Sequence, residues 1–209
     1  MRPPVPPLLV ISDRRQARRP LEEVAEAVFA GGCRWFSLRE KDLPPEEWRA
    51  LLAALVAAGR RFGALVTAHE DIEAAAATGA DGVHLPSGGS PAAAYARLPG
   101  ALIGASAHSG SEATSLLRAG ADYVTVSPVF LTASKPGYGP ALGLDGLTEI
   151  IAAAAGPVVA LGGVTHGNAA LCRGAGASGI AVMGEVMRAA DPSTTVARLI
   201  RAFSATAGA

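Results

Sequence analysis

The chain has 209 residues, half of them hydrophobic, which is enough to bury a substantial core in a single domain. Eighteen basic and eighteen acidic side chains give a formal net charge of zero, so no bulk field gathers nucleic acid or an anionic membrane surface, and neither is expected as a partner. Two cysteines, Cys33 and Cys172, are too few for a disulfide scaffold and lack metal-ligand spacing; they read as core thiols of a cytoplasmic protein.

The first residues, "MRPPVPPLLVISDRR", hold an apolar run far shorter than a membrane span and read as no signal peptide. Short apolar runs then alternate with segments of helical spacing. Leu8 to Ile11 is followed by "PLEEVAEAVFAGG", Trp35 to Leu38 by "PPEEWRALLAALVAAGRRFG", and Ala64 to Thr67 by "EDIEAAAATGA". Gly82 to Leu85 precedes "SPAAAYARLPG", Leu102 to Ala105 precedes "SGSEATSLLRAGA", and Tyr123 to Val126 leads through a polar loop to "GLDGLTEIIAAAAG". Val158 to Leu161 with "THGNAALCRGAGA", and Gly179 to Met183 with "DPSTTVARLIRAFSATA", complete eight strand-then-helix units.

The runs lack polar alternation, as expected of parallel strands covered on both faces. Glycines close the helices in "AGGCRWF", "RRFGALV", "TGADGVHL", "RAGADYV" and "GAGASGIAV", where turns call for positive φ. The pattern predicts an α/β fold, a single (β/α)8 TIM barrel spanning 1–209 with its core at about 8–203. An open doubly wound sheet would be expected to show a glycine-rich fingerprint after its first strand, and "VISDRRQ" has none.

Such a barrel builds its active site at the C-terminal ends of its strands. Arg39 and Lys41 alternate after the second run, so they face the same way, with Glu40 opposed; both bases inward would meet a phosphorylated ligand, and a salt-bridged rim with Asp13, Glu40 and Asp42 is the structural alternative. Gly162 and Gly163 after the seventh run, and Gly184 after the eighth, let backbone amides approach an anion. "TASKPGYGPALG" brings Lys135 to the same mouth as a third cation, and its Gly137 and Gly139 suit hinges. Among the four histidines, His108 follows a strand and Ser106, His69 adjoins Glu70, and His84 lies within a strand, where it reads equally as a core residue.

At "FSLREK", "GADGVHL", "IGASAHS", "GADYVTVSPVFLTASKPG", "VVALGGVT" and "GIAVM" the sequence resembles the superfamily of thiamine phosphate synthase and its TenI-like relatives, over almost its whole length. In the synthases a hydroxymethylpyrimidine diphosphate loses pyrophosphate to magnesium and cations, and a thiazole phosphate nitrogen captures the carbocation. The resemblance assigns pyrophosphate to Arg39 and Lys41, adds Ser106, Thr132, Ser134 and Lys135 as substrate contacts, and gives the thiazole phosphate to Gly162 and Gly163.

The metal side departs from that pattern. His69 and Glu70 stand where the synthases carry Asn-Asp, and "PSGG" replaces "GQxD", so that Gly89 takes the place of the second magnesium carboxylate. "HLPSGG" looks like the TenI-like proteins, some of which are thiazole tautomerases needing an acid/base but no metal, although Pro128 stands where their histidine would be. The expected reading is therefore a TenI-like tautomerase acting on a phosphorylated thiazole, with His108, His69 or Glu70 moving the proton and no cofactor. A synthase with Mg2+ on Glu70, or a noncatalytic binding protein, are the alternatives, and a homodimer is compatible with each.

Overall fold

In the computed structural model, which describes residues 2–132 and 140–205, eight parallel strands pair in chain order and the last closes on the first. They are β1 (Leu8–Ile11), β2 (Trp35–Leu38), β3 (Leu65–His69), β4 (Gly82–Leu85), β5 (Leu102–Ala107), β6 (Tyr123–Val126), β7 (Val158–Leu161) and β8 (Gly179–Val182). Between them run α1 (Leu21–Ala30), α2 (Pro45–Arg61), α3 (Ile72–Thr78), α4 (Pro91–Arg97), α5 (Gly110–Arg118), α6 (Gly143–Ala153) and α7 (Ala169–Gly174), while α8 (Gly184–Met187) and α9 (Pro192–Ser204) follow β8. The fold is the (β/α)8 TIM barrel expected from the alternation. Among the described residues no helix is long and apolar enough to cross a membrane.

The period of two along each strand sorts the side chains into two cores. Leu9, Ile11, Trp35, Leu102, Tyr123, Val159 and Ala181 fill the barrel interior as one buried cluster. Their neighbours Val10, Phe36, Ile103, Val124, Val158 and Ile180 point outward and join the larger cluster under the helices. Both faces are buried, which is why the runs show no regular polar alternation in the sequence. The two thiols are buried, and burial pushes Cys33 up to about 12 and Cys172 up to about 11.

Inside the barrel Trp35 and Tyr123 meet edge to face with centroids 4.6 Å apart. Gly104 makes this possible: a Cβ there would lie 2.0 Å from Tyr123 Cζ, so the phenol crosses the space a side chain would need.

The helix ends follow local chemistry. Asp71, Ser90, Ser109 and Asp191 each accept a backbone N–H of the first turn of their helix, at Ala74, Ala93, Glu112 and Thr194. One glycine in each of the five quoted turns, Gly32, Gly63, Gly79, Gly120 and Gly176, does have positive φ.

Two strands outrun their apolar segments. β3 continues past Thr67 to His69, which pairs with His84, and β5 continues past Ala105 to Ala107, which pairs with Val126. Near the mouth the interior opens toward solvent, so the ladder outlasts the apolar code. This places His69 and Ser106 on rigid strand ends instead of in loops.

Candidate active site

The C-terminal strand ends enclose a cavity of about 660 Å³. Arg39, Lys41, His69, Glu70, Ser106 and His108 line it on one side; Thr132, Gly162, Gly163 and Gly184 line it elsewhere. Every site residue expected from the sequence that falls among the described residues is thus at one mouth. Ser134 and Lys135, with Gly137 and Gly139, lie outside the described residues.

At the cavity floor stands a residue that reads equally as core in the sequence. His84 is buried and inward-facing on β4; its Nε2 lies 3.0 Å from Ser106 Oγ and 3.3 Å from Thr125 Oγ1, and its Nδ1 lies 3.0 Å from the Tyr123 hydroxyl. Burial, reinforced by neighbouring His69, lowers His84 from 6.5 to about 3. The ring is therefore neutral near neutral pH, with one nitrogen donating and the other accepting. His69 stacks on it with ring centroids 5.4 Å apart.

The cationic side is built from β2 and β3. Arg39 N–H donates to the fully buried Ser12 hydroxyl at 2.7 Å, which pins the strand end. The expected split of faces is present: Arg39 and Lys41 line the cavity while Glu40 is buried and accepts the Arg14 N–H at 3.0 and 3.1 Å. Burial raises the Glu40 carboxyl above its usual range. The rim carboxylates pair with the β1 loop, Asp42 with Arg14 at 2.9 Å and Asp13 with Arg15 at 3.9 Å, and neither pairs with Arg39.

Lys41 is not spared in the same way, since its Nζ lies 3.4 Å from Glu70 Oε1, and His69 Nε2 lies 3.3 Å from the same oxygen. Glu70 holds φ at 70°, in the left-handed region that residues with a Cβ seldom adopt. The turn aims its carboxylate into the mouth at a backbone cost that concentrates at functional positions. No sequence signal marks it.

His108 sits at the rim, its Nδ1 3.2 Å from the Ser127 carbonyl and its N–H donating to Glu112 at 2.8 Å. It faces the cavity but is far less enclosed than His84.

Across the cavity the β7 turn has φ of 94° at Gly162 and 65° at Gly163. A Cβ at Gly162 would lie 2.8 Å from Pro128 Cα, and one at Gly163 would lie 2.5 Å from the Leu131 carbonyl oxygen, so the turn packs directly on the loop after β6. Two arginines that sequence reasoning missed, Arg15 and Arg188, reach the same cavity.

Comparison with known proteins decides between the two branches. The family described as Thiamine monophosphate synthase matches residues 8–186. This chain belongs to that family. The thiamine-phosphate synthase of Methanoculleus marisnigri is 40% identical over 197 residues, covering 93% of each chain. That of Roseiflexus castenholzii is 39% identical over 193 residues, covering 91% of this chain and 85% of the other. A solved structure, thiamine phosphate pyrophosphorylase from Pyrococcus furiosus, superposes with a TM-score of 0.84 at 33% identity over 94% of each chain.

As a member of the thiamine monophosphate synthase family, the chain is an enzyme of thiamine biosynthesis built on a TIM barrel. The similar chains carry synthase names, which overturns the expected placement in the TenI-like branch and, with it, the tautomerase function. The physical reason lies in how much weight one position carried. A Cβ at Gly89 would lie 2.8 Å from Leu85 Cβ and 3.1 Å from the Pro86 carbonyl, so the β4 turn is packed without a side chain there. That removes one carboxylate locally and leaves Arg39 and Lys41 on one side of the cavity and the Gly162–Gly163 turn on the other in place. Pro128, at the position of the histidine in TenI-like tautomerases, lines the cavity with no titratable group.

Proposed function

We propose that this protein is a thiamine-phosphate synthase, joining hydroxymethylpyrimidine diphosphate to thiazole phosphate with release of pyrophosphate. The observation that carries the reading is that one cavity is lined by Arg39 and Lys41 on one side and by the Gly162–Gly163 turn and Gly184 on the other, two regions each suited to an anion. A one-substrate isomerisation of a monophosphate has use for one such region; a transferase joining a diphosphate to a monophosphate needs two. The volume, about 660 Å³, suits two small ligands side by side.

In this reading Arg39 and Lys41 hold the diphosphate, and family resemblance makes Lys135 a contact to a phosphate of the substrate. The C–O bond between the pyrimidine methylene and the diphosphate breaks, both electrons leaving with the pyrophosphate oxygen. The thiazole nitrogen gives its lone pair to the methylene carbon, forming the C–N bond, and no proton has to be transferred. The work left to the protein is positioning and charge stabilisation of the leaving group. Ser106, oriented by the neutral His84, presents its hydroxyl at the cavity floor.

The family implies magnesium, and the donors present can be tested against it. Among the described residues no cluster of three His, Cys, Asp or Glu forms a cage. Magnesium, however, commonly binds through one or two carboxylates together with substrate phosphates and water. Glu70, aimed at the mouth by its left-handed backbone and already facing the Lys41 ammonium, fits a one-carboxylate site. Magnesium bound there would supply Lewis-acid neutralisation of the departing pyrophosphate.

The test offers purified protein both substrates with magnesium, and again with a chelator. Equal amounts of thiamine phosphate and pyrophosphate, formed only with the metal, are expected. Failure to form either product with magnesium present would remove the synthase reading.

A further inference from the structure

Gly184 is readable in the sequence as a place where backbone can approach an anion, but its missing side chain has a second use. A Cβ on Gly184 would lie 2.2 Å from Arg188 Nη1 and 2.7 Å from both Cζ and Nη2. The guanidinium, carried one turn further along at the end of α8, folds back over Gly184 and occupies that space at the cavity wall.

We propose that Arg188 is a binding and specificity residue for the phosphate of the thiazole substrate, an inference that rests on the synthase reading of the cavity. Three features carry it. First, the guanidinium lines the cavity together with Gly162, Gly163 and Thr165. Second, it is oriented: Gln16 Oε1 accepts from Arg188 Nη1, and the same amide donates through Nε2 to Asp13 Oδ2, which fixes both the amide and the arginine. Third, its donors are available. A guanidinium has five N–H groups in a planar fork, and Gln16 uses one of them.

The carboxylates that share the wall are engaged elsewhere. Glu185 lies 3.5 Å from His166 Nδ1, and Asp13 takes the Gln16 amide and stands 3.9 Å from Arg15. No carboxylate among the described residues forms an ion pair with Arg188, whose one side-chain partner there is Gln16. A planar fork beside a glycine turn suits two oxygens of a phosphate monoester, which a lysine at that position would grip only as a point charge. The unphosphorylated thiazole alcohol offers the fork one neutral acceptor in place of two anionic oxygens, so Arg188 discriminates between the two.

Calorimetry with wild type, Arg188→Ala and Arg188→Lys tests this, titrating thiazole phosphate and, separately, its unphosphorylated alcohol. Arg188→Ala is expected to raise the dissociation constant for the phosphate about tenfold or more, Arg188→Lys to recover only part of it, and both to change the alcohol far less than the phosphate. Gly184→Val, which pushes the guanidinium off the wall, is expected to weaken the phosphate in the same direction. In coupling assays the KM for thiazole phosphate is expected to rise in Arg188→Ala while the KM for the pyrimidine diphosphate holds. An unchanged phosphate dissociation constant in Arg188→Ala overturns the proposal even if the wild type is an active synthase. Tight phosphate binding that is lost in Arg188→Ala, without turnover, keeps the arginine's role while removing the synthase reading.

Discussion

His84 Nε2 and the Ser106 hydroxyl stand 3.0 Å apart at the cavity floor, and the imidazole is neutral because it is buried. This makes acid a threat to the fold. The folded protein holds His84 at about 3 against an ordinary 6.5, so between those values the unfolded chain binds the extra proton and stability rises with pH. The stabilisation is complete above about pH 6.5 and is lost on acidification at up to about 1.4 kcal/mol per pH unit. Urea midpoints measured from pH 7 to 4 are expected to fall less steeply in His84→Gln than in wild type. Parallel slopes would mean the site accepts an imidazolium.

Gly104→Ala is expected to be among the most damaging small substitutions in the chain. The added methyl would lie 2.0 Å from Tyr123 Cζ and 2.3 Å from its hydroxyl, and Trp35, 4.6 Å away on the ring, hinders retreat. Overpacking of this kind costs about 1–3 kcal/mol and occasionally more. It would also pull Tyr123 away from His84 Nδ1. Adding Tyr123→Leu should restore part of the loss, so denaturation of the single and double variants is expected to show strong non-additivity. Additive losses would show that the two positions do not compete for one space.

The barrel was legible because burial on both strand faces leaves continuous apolar runs, and turns with positive φ leave glycines. What the runs report, though, is burial and not pairing, so His69 and Ser106 look like loop residues although they end strands. The mouth was legible for a similar reason: once strand order is known, position after each strand selects Arg39, Lys41 and Gly162. His84 was ambiguous because its meaning depends on Tyr123 and Ser106, brought to it by barrel closure. Arg188 was invisible because its relation to Gly184 is a rotamer that fills a missing side chain. Glu70 was legible by its position after the third run, but its left-handed backbone was not, since that conformation is ordinarily advertised by glycine.

Restoring a carboxylate at Gly89 is not expected to rebuild a second metal ligand. The new Cβ would press on Leu85 Cβ and the Pro86 carbonyl at 2.8 and 3.1 Å, and the backbone has no slack in a turn closed by Gly89 N–H donating to Pro86 at 3.0 Å. Gly89→Asp should lose about 1–3 kcal/mol of stability. The magnesium concentration giving half-maximal coupling should not fall. A clear fall in that concentration would show that the turn opens to admit the carboxylate.

Glu70 offers the sharpest separation of stability from activity. Its φ of 70° costs a residue with a Cβ on the order of 1 kcal/mol, which glycine does not incur. Against this stand the Lys41 contact at 3.4 Å, between exposed groups and worth little, and the extra unfolded-state freedom of glycine. The balance is close to neutral or slightly favourable, so Glu70→Gly is expected to match or exceed the wild-type melting temperature. Glu70→Gln keeps the strained backbone and should gain nothing. Both variants should lose coupling activity by about a hundredfold or more if the carboxylate is what the metal and the leaving group require. A Glu70→Gly protein that is markedly less stable would place the value of Glu70 in its contacts with His69 and Lys41; one that stays active would remove the carboxylate from the reaction.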